Sequence, residues 1–141
     1  MKIVPGELPI GFGRKFHLSY IGSHAQLLFR SGRGGYHQGC TLKYDSVVDV
    51  LFKNVGAIAV AENYMPLKVS LADEAETEEF IRFLNCEIGN RKLYVLRGGD
   101  EIGYVLAGAL YWVDDHEGST EEPGVLIAAP QRSDDLVVMS A

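Results

Sequence analysis

Phe16, Leu18 and Tyr20 alternate with His17 and Ser19, and after Gly22-Ser23 the residues Ala25, Leu27 and Phe29 alternate with Gln26 and Arg30. Apolar side chains at period two fit a pleated strand with one buried face, and a glycine turn between two such runs makes an antiparallel hairpin. This alternation constrains the fold most, because a slip of one residue would carry the whole apolar set from core to solvent. The hairpin is expected to bury Phe16, Leu18, Leu27 and Phe29 and to expose His17, Gln26 and Arg30.

The same pattern recurs along the chain. Segment 46–53 places Val48, Val50 and Phe52 on one face, and its β-branched and aromatic content favours strand over helix. Asn54-Val55-Gly56 reads as a turn before a strand at 57–61, and Leu67, Val69 and Leu71 alternate with Lys68 and Ser70. Runs 93–96 and 102–113 flank Arg97-Gly98-Gly99-Asp100 as a long hairpin. The second run is apolar on both faces, so it is expected either to be central with both faces covered or to form an interface. Segments 125–129 and 136–139 read as short late strands. Segment 1–13, with Pro5, Pro9 and three glycines, reads as irregular or edge, and 31–39, with four glycines, as a loop.

One segment reads as helix, over 74–88. Asp73 can cap it, with Glu76 at capping-box spacing, and Phe80, Leu84 and Ile88, with Ile81 beside them, form an apolar stripe. Glu74, Glu76, Glu78 and Glu79 crowd its first turns, where the helix dipole favours negative charge. Asn85 or Gly89-Asn90 would stop it. About eight strands and one amphipathic helix make an α+β domain, mainly antiparallel sheet, spanning 1–141 as one unit.

A chain of 141 residues removes roughly two-thirds of its unfolded surface from water, enough for a self-supporting core. Its 47% hydrophobic and 23% charged residues exclude a disordered, collagenous or coiled-coil chain. Met1-Lys2-Ile3-Val4 is cut short by Pro5, so no signal-peptide core is expected, and 102–113 is well below the ~20 residues of a membrane helix. A cytoplasmic protein without membrane attachment is the expectation. Free thiols at Cys40 and Cys86 follow from that compartment, although a disulfide between them stays open because sequence fixes no Cα distance.

The net charge of −6 is uneven. Residues 1–43 hold six cations and one anion, whereas 44–141 hold seven cations and 18 anions. Such a split gives either a basic surface beside an acidic one or charges scattered over the folded surface, and an acidic face suits a basic partner. The densest set of ligand atoms is Asp114-Asp115-His116-Glu117 with Glu121-Glu122, five carboxylates within nine residues, close to Trp112. Hard cations seek such oxygens, but the alternating acids, glycine and distant Glu of a calcium loop are absent, so no metal is expected. The remaining readings are a solvated loop or a partner-binding loop, with Asp114, Asp115, Glu117, Glu121 and Glu122 steering a basic protein and Trp112 anchoring it.

Other constellations fail their templates. His17, His24, His37 and His116 lack helical ligand spacing, and Gly22-Ser23-His24 is not a nucleophile elbow. Cys86 reads as a small buried hydrophobe. Gly11-Phe12-Gly13 precedes a strand rather than a helix that could hold phosphate, so no cofactor is expected. The arginine-glycine tract from Arg30 to Tyr36 could contact single-stranded nucleic acid, but the acidic balance of the chain points away from that partner.

Residues 16–30, with Tyr20, Ser23-His24 and Gln26-Leu27-Leu28-Phe29-Arg30, resemble a recurrent pattern of small uncharacterised bacterial proteins, "Y-x-x-S-H-x-Q-L-L-L-R-S" followed by "I-D-I-x-F-x-G-V". The second part stands here as Val48-Asp49-Val50-Leu51-Phe52-Lys53-Asn54-Val55, with Asn54 where the pattern tends to have Gly. The likeness covers about the first 70 residues. It implies an immunity-type role beside a toxin, or another interaction role, and carries no catalytic residues. The favoured reading is thus a non-catalytic protein-binding module. The alternatives are a small enzyme in which His17, Asp49 and Arg30 converge across neighbouring strands, and an obligate homo-oligomer built through 102–113.

Overall fold

The alternating segments pair into two sheets whose apolar faces close on each other. The computed structural model describes residues 1–22, 25–85, 87–118, 126 and 136–141. A seven-stranded sheet runs in the order β1 (Lys2–Pro5), β14 (Val137–Ser140), β13 (Ala109–Asp115), β7 (Val47–Lys53), β4 (Gln26–Ser31), β3 (Phe16–Gly22) and β9 (Asn63–Tyr64). A five-stranded sheet runs β2 (Ile10–Phe12), β10 (Leu67–Leu71), β11 (Lys92–Gly98), β12 (Glu101–Ala107) and β8 (Ala57–Ala59). A separate hairpin joins β5 (Gly34–His37) to β6 (Cys40–Lys43). Only β1 and β14 pair in parallel among the described strands.

The inner faces form one core. Phe29, Val50, Phe52 and Leu110 come from the larger sheet, and Val69, Tyr94, Leu96 and Val105 from the smaller. Phe52 and Tyr94 meet edge to face at 5.3 Å between ring centroids, a favoured aromatic geometry. The helix α1 (Glu74–Leu84) lies on the outer side of the five-stranded sheet, where Phe80 packs with Leu93 and Leu106. The layers therefore run large sheet, small sheet, helix.

The α+β class and the antiparallel pairing agree with the sequence, but the described residues hold fourteen strands rather than about eight. The surplus strands are short. Segment 1–13 takes the edge alternative rather than the irregular one: β1 is an edge strand of the larger sheet and β2 of the smaller. The glycine-rich 31–39 is not all loop, since Gln38 and Gly39, both at positive φ, turn the β5–β6 hairpin tightly. The helix stops four residues early. Asn85, in the left-handed region at φ 49, ends it after Leu84, so Ile88 reaches the Phe80 cluster from beyond the helix.

Segment 102–113 is two strands in two sheets. In β12, Val105 and Ala107 face the core and Leu106 faces α1; after Gly108, Leu110 and Trp112 face the core. The inward parity shifts by one residue at Gly108, whose N–H donates to the carbonyls of Lys53 and Asn54. Most of a run apolar on both faces thus finds cover within this chain, while Ile102 at its start stays 56% exposed.

Arg30 also departs from expectation. Phe16, Leu27 and Phe29 are buried and His17 is exposed, but Leu18 is only half-buried and Arg30 is buried. The reason is Asp49 on the adjacent strand, whose carboxylate accepts from Arg30 Nε at 2.8 Å and Nη2 at 3.1 Å. Such a fork-to-carboxylate pair allows a guanidinium to leave water.

Candidate functional site

The loop that follows β13 is built from the end of that strand upward. Asp114 and Asp115 continue its alternation, so their side chains point to opposite sides. Asp115 turns inward and is 5% exposed. Its carboxylate accepts the Glu117 N–H at 3.0 Å, and a Cβ on Gly118 would press to 2.9 Å from Asp115 Oδ2. A side chain at 118 would push on that carboxylate, so glycine suits the close fold of the backbone over it.

Arg33, just before β5, clamps the same turn. Its guanidinium donates to the carbonyls of His116 at 2.6 Å, Gly118 at 2.7 Å and Asp45 at 2.7 Å. Side-chain bonds from below and within hold the turn, while Asp114 and Glu117 stand exposed on it. Asp114 lies 3.8 Å from the similarly exposed His116 imidazole.

Trp112 is not a free anchor. Its ring is 8% exposed, and a Cβ on Gly6 would meet it at 2.5 Å, so the indole is packed beneath the chain that leaves β1. The expectation that Asp115 and Trp112 form part of an open surface is therefore corrected: one holds the turn and the other the core. Glu121 and Glu122 lie outside the described residues, as do Ser23, His24, Cys86 and all of the 125–129 segment except residue 126. Cys40 is free and exposed.

The second constellation is a row across three strands. His17 on β3 is in register with Arg30 on β4, and Arg30 with Asp49 on β7. Partial desolvation of the ring against its neighbours foremost, although the side chain as a whole reaches solvent, then the charges of Arg30 and Lys15, push the His17 imidazole below its ordinary value, with Asp49 opposing. The row is thus brought together as the enzyme reading requires. However, Arg30 and Asp49 engage each other out of reach of solvent, and His17 is the row's exposed end.

Sequence reasoning missed the node at Arg14. Its guanidinium donates to Ser31 Oγ at 2.8 Å, Ser46 Oγ at 2.9 Å and the Ser46 carbonyl at 2.7 Å, and stacks over the Tyr44 ring at 4.2 Å. Burial lowers its proton affinity, with Asp114, Tyr44 and Asp45 opposing. No local signal announces it, because its partners lie 17 and 32 residues away.

Among the described residues, no group of three or more His, Cys, Asp or Glu side chains could hold a metal ion, and no helix is long and apolar enough to cross a membrane. Comparison with protein-family models, curated proteins and solved structures finds no match.

Proposed function

We propose that the protein is a non-catalytic protein-binding module of the immunity type, neutralising a basic toxin partner through the acidic loop after β13. The supporting observation is the anchorage of that loop: Arg33 and Asp115 hold the turn, so Asp114 and Glu117 are presented before any partner arrives. A preorganised acidic turn spends little ordering entropy on binding and attracts cationic surface from a distance. Glu121 and Glu122 extend the same run of charge in sequence. The role of Asp115 here is internal, so the recognition set narrows to Asp114, Glu117, Glu121 and Glu122.

The small-enzyme alternative draws less support, since its only carboxylate and guanidinium are paired with each other in the interior. The homo-oligomer alternative keeps only the exposed start of the two-faced run, at Ile102, since Val105, Leu106, Leu110 and Val113 are covered within the chain.

Capture from cells that naturally make the chain tests the proposal. Immobilised protein should retain a basic partner, most directly one encoded by a neighbouring gene, and release it as salt is raised. A variant carrying Asp114→Asn, Glu117→Gln, Glu121→Gln and Glu122→Gln should retain much less of it. Equal retention by the variant would exclude this loop as the recognition surface.

A further inference from the structure

The acids of α1 are only partly explained by the helix itself. Glu76 belongs to the first turn, where it completes the capping box with Asp73 and approaches Arg97 at 3.5 Å. Glu79 lies beyond that turn, where the dipole contributes little, and it forms no ion pair among the described residues. Phe83, four residues further on, is 85% exposed, the highest of the large exposed hydrophobics, and belongs to no buried cluster. Helical spacing puts positions 76, 79, 80, 83 and 84 on one face.

That face forms one wall of an open groove of about 330 Å³, whose other wall is Ala59 on β8 and Tyr104 on β12. Phe80 and Leu84 add further apolar surface. Tyr104 and Ala59 are in register, and Ile102, two residues along the same face of β12, is 56% exposed. The helix covers Leu93 and Leu106, and Phe80 meets Tyr104 at 5.5 Å between ring centroids, while Phe83 on the helix and Ile102 on β12 keep their apolar surface in solvent.

We propose that this groove docks a basic amphipathic segment of another protein, with an apolar side chain entering beside Phe83 and a flanking Lys or Arg side chain meeting Glu79. Charge selects this occupant. A second copy of the chain docked face to face would bring two Glu79 carboxylates together, whereas a cationic segment neutralises that charge while covering the apolar wall. The groove lies on the outer side of the five-stranded sheet and the β13 loop belongs to the other sheet, so this proposal stands independently of the loop.

The test uses the full chain, labelled with nitrogen-15, and two synthetic amphipathic peptides of identical apolar sequence, one with Lys and one with Glu at every flanking position. The Lys peptide should move the amide signals of Ala59, Phe83, Leu84 and Tyr104 and bind roughly tenfold or more tightly than the Glu peptide. Phe83→Ser, at an exposed site that leaves the core intact, should weaken binding several-fold. Glu79→Gln should weaken it less and flatten its salt dependence. The proposal fails if neither peptide moves these signals, if both bind equally, or if Phe83→Ser leaves affinity unchanged. Concentration-dependent dimerisation abolished by Phe83→Ser would instead put a second copy in the groove and overturn it.

Discussion

Arg30 sits where alternation places a solvent-facing side chain, yet it is buried because Asp49 is its cross-strand neighbour. Sequence periodicity assigns a residue to a face but does not reveal whether that face is covered, so the buried pair was illegible from β4 alone. Removing one partner strands a charge in the interior. Asp49→Ala should therefore destabilise the protein by about 3–5 kcal/mol in urea unfolding, while the double change Arg30→Met with Asp49→Leu should lose far less. A double variant as damaged as the sum of its single changes would contradict that account. His17, in the same row, has a folded-state pKa below its unfolded value. Its contribution is fully present above about pH 6.5 and is lost as the pH falls towards the folded pKa, because the unfolded state then binds more protons. Unfolding midpoints should accordingly fall more steeply between neutral and mildly acidic pH in the native protein than in His17→Gln.

At the scale of elements, strands with regular alternation were legible, and β3, β4, β7, β10 and β11 lie where periodicity puts them. The capping box that starts α1 was equally legible, since both of its bonds, Asp73 to the Glu76 N–H and Glu76 to the Asp73 N–H, are local. What stayed hidden were short strands stabilised by distant neighbours and the change of sheet at Gly108. An apolar run shows no gap in pattern when its inward parity shifts, and only the meeting with Lys53 and Asn54 marks the place. Close approaches between strands are hidden in the same way. A Cβ on Gly98 of β11 would collide with the Pro66 carbonyl, which is backbone and cannot swing aside, whereas Gly11 on β2 has nothing within 4 Å. Gly98→Ala should cost about 1–3 kcal/mol, and Gly11→Ala should stay within about 0.5 kcal/mol. Chemical denaturation of both variants checks this, and equal effects would show that the Gly98 approach is not a constraint.

Across the whole molecule, four of the six cations of residues 1–43 are tied to neighbouring strands and loops. Arg14, Arg30 and Arg33 donate to neighbouring strands and loops, and Lys15 donates to the Tyr36 carbonyl at 2.6 Å. These cations support the architecture, and one of them holds the acidic turn after β13 in place. Exposed anions stand on that turn and on α1, and also at Glu7, Asp45, Glu62, Glu87, Asp100 and Glu101. The acidic cluster was legible as a cluster; that Asp115 faces inward required the geometry of the turn. Electrostatic recruitment of a basic protein partner by the turn, as proposed above, is read most directly from the association rate. For the partner captured by the native chain, the rate should fall steeply from low to physiological salt. The variant with Asp114→Asn, Glu117→Gln, Glu121→Gln and Glu122→Gln should associate roughly tenfold more slowly at low salt and show a flatter dependence. Identical rates and identical salt dependence in the two proteins would contradict the claim.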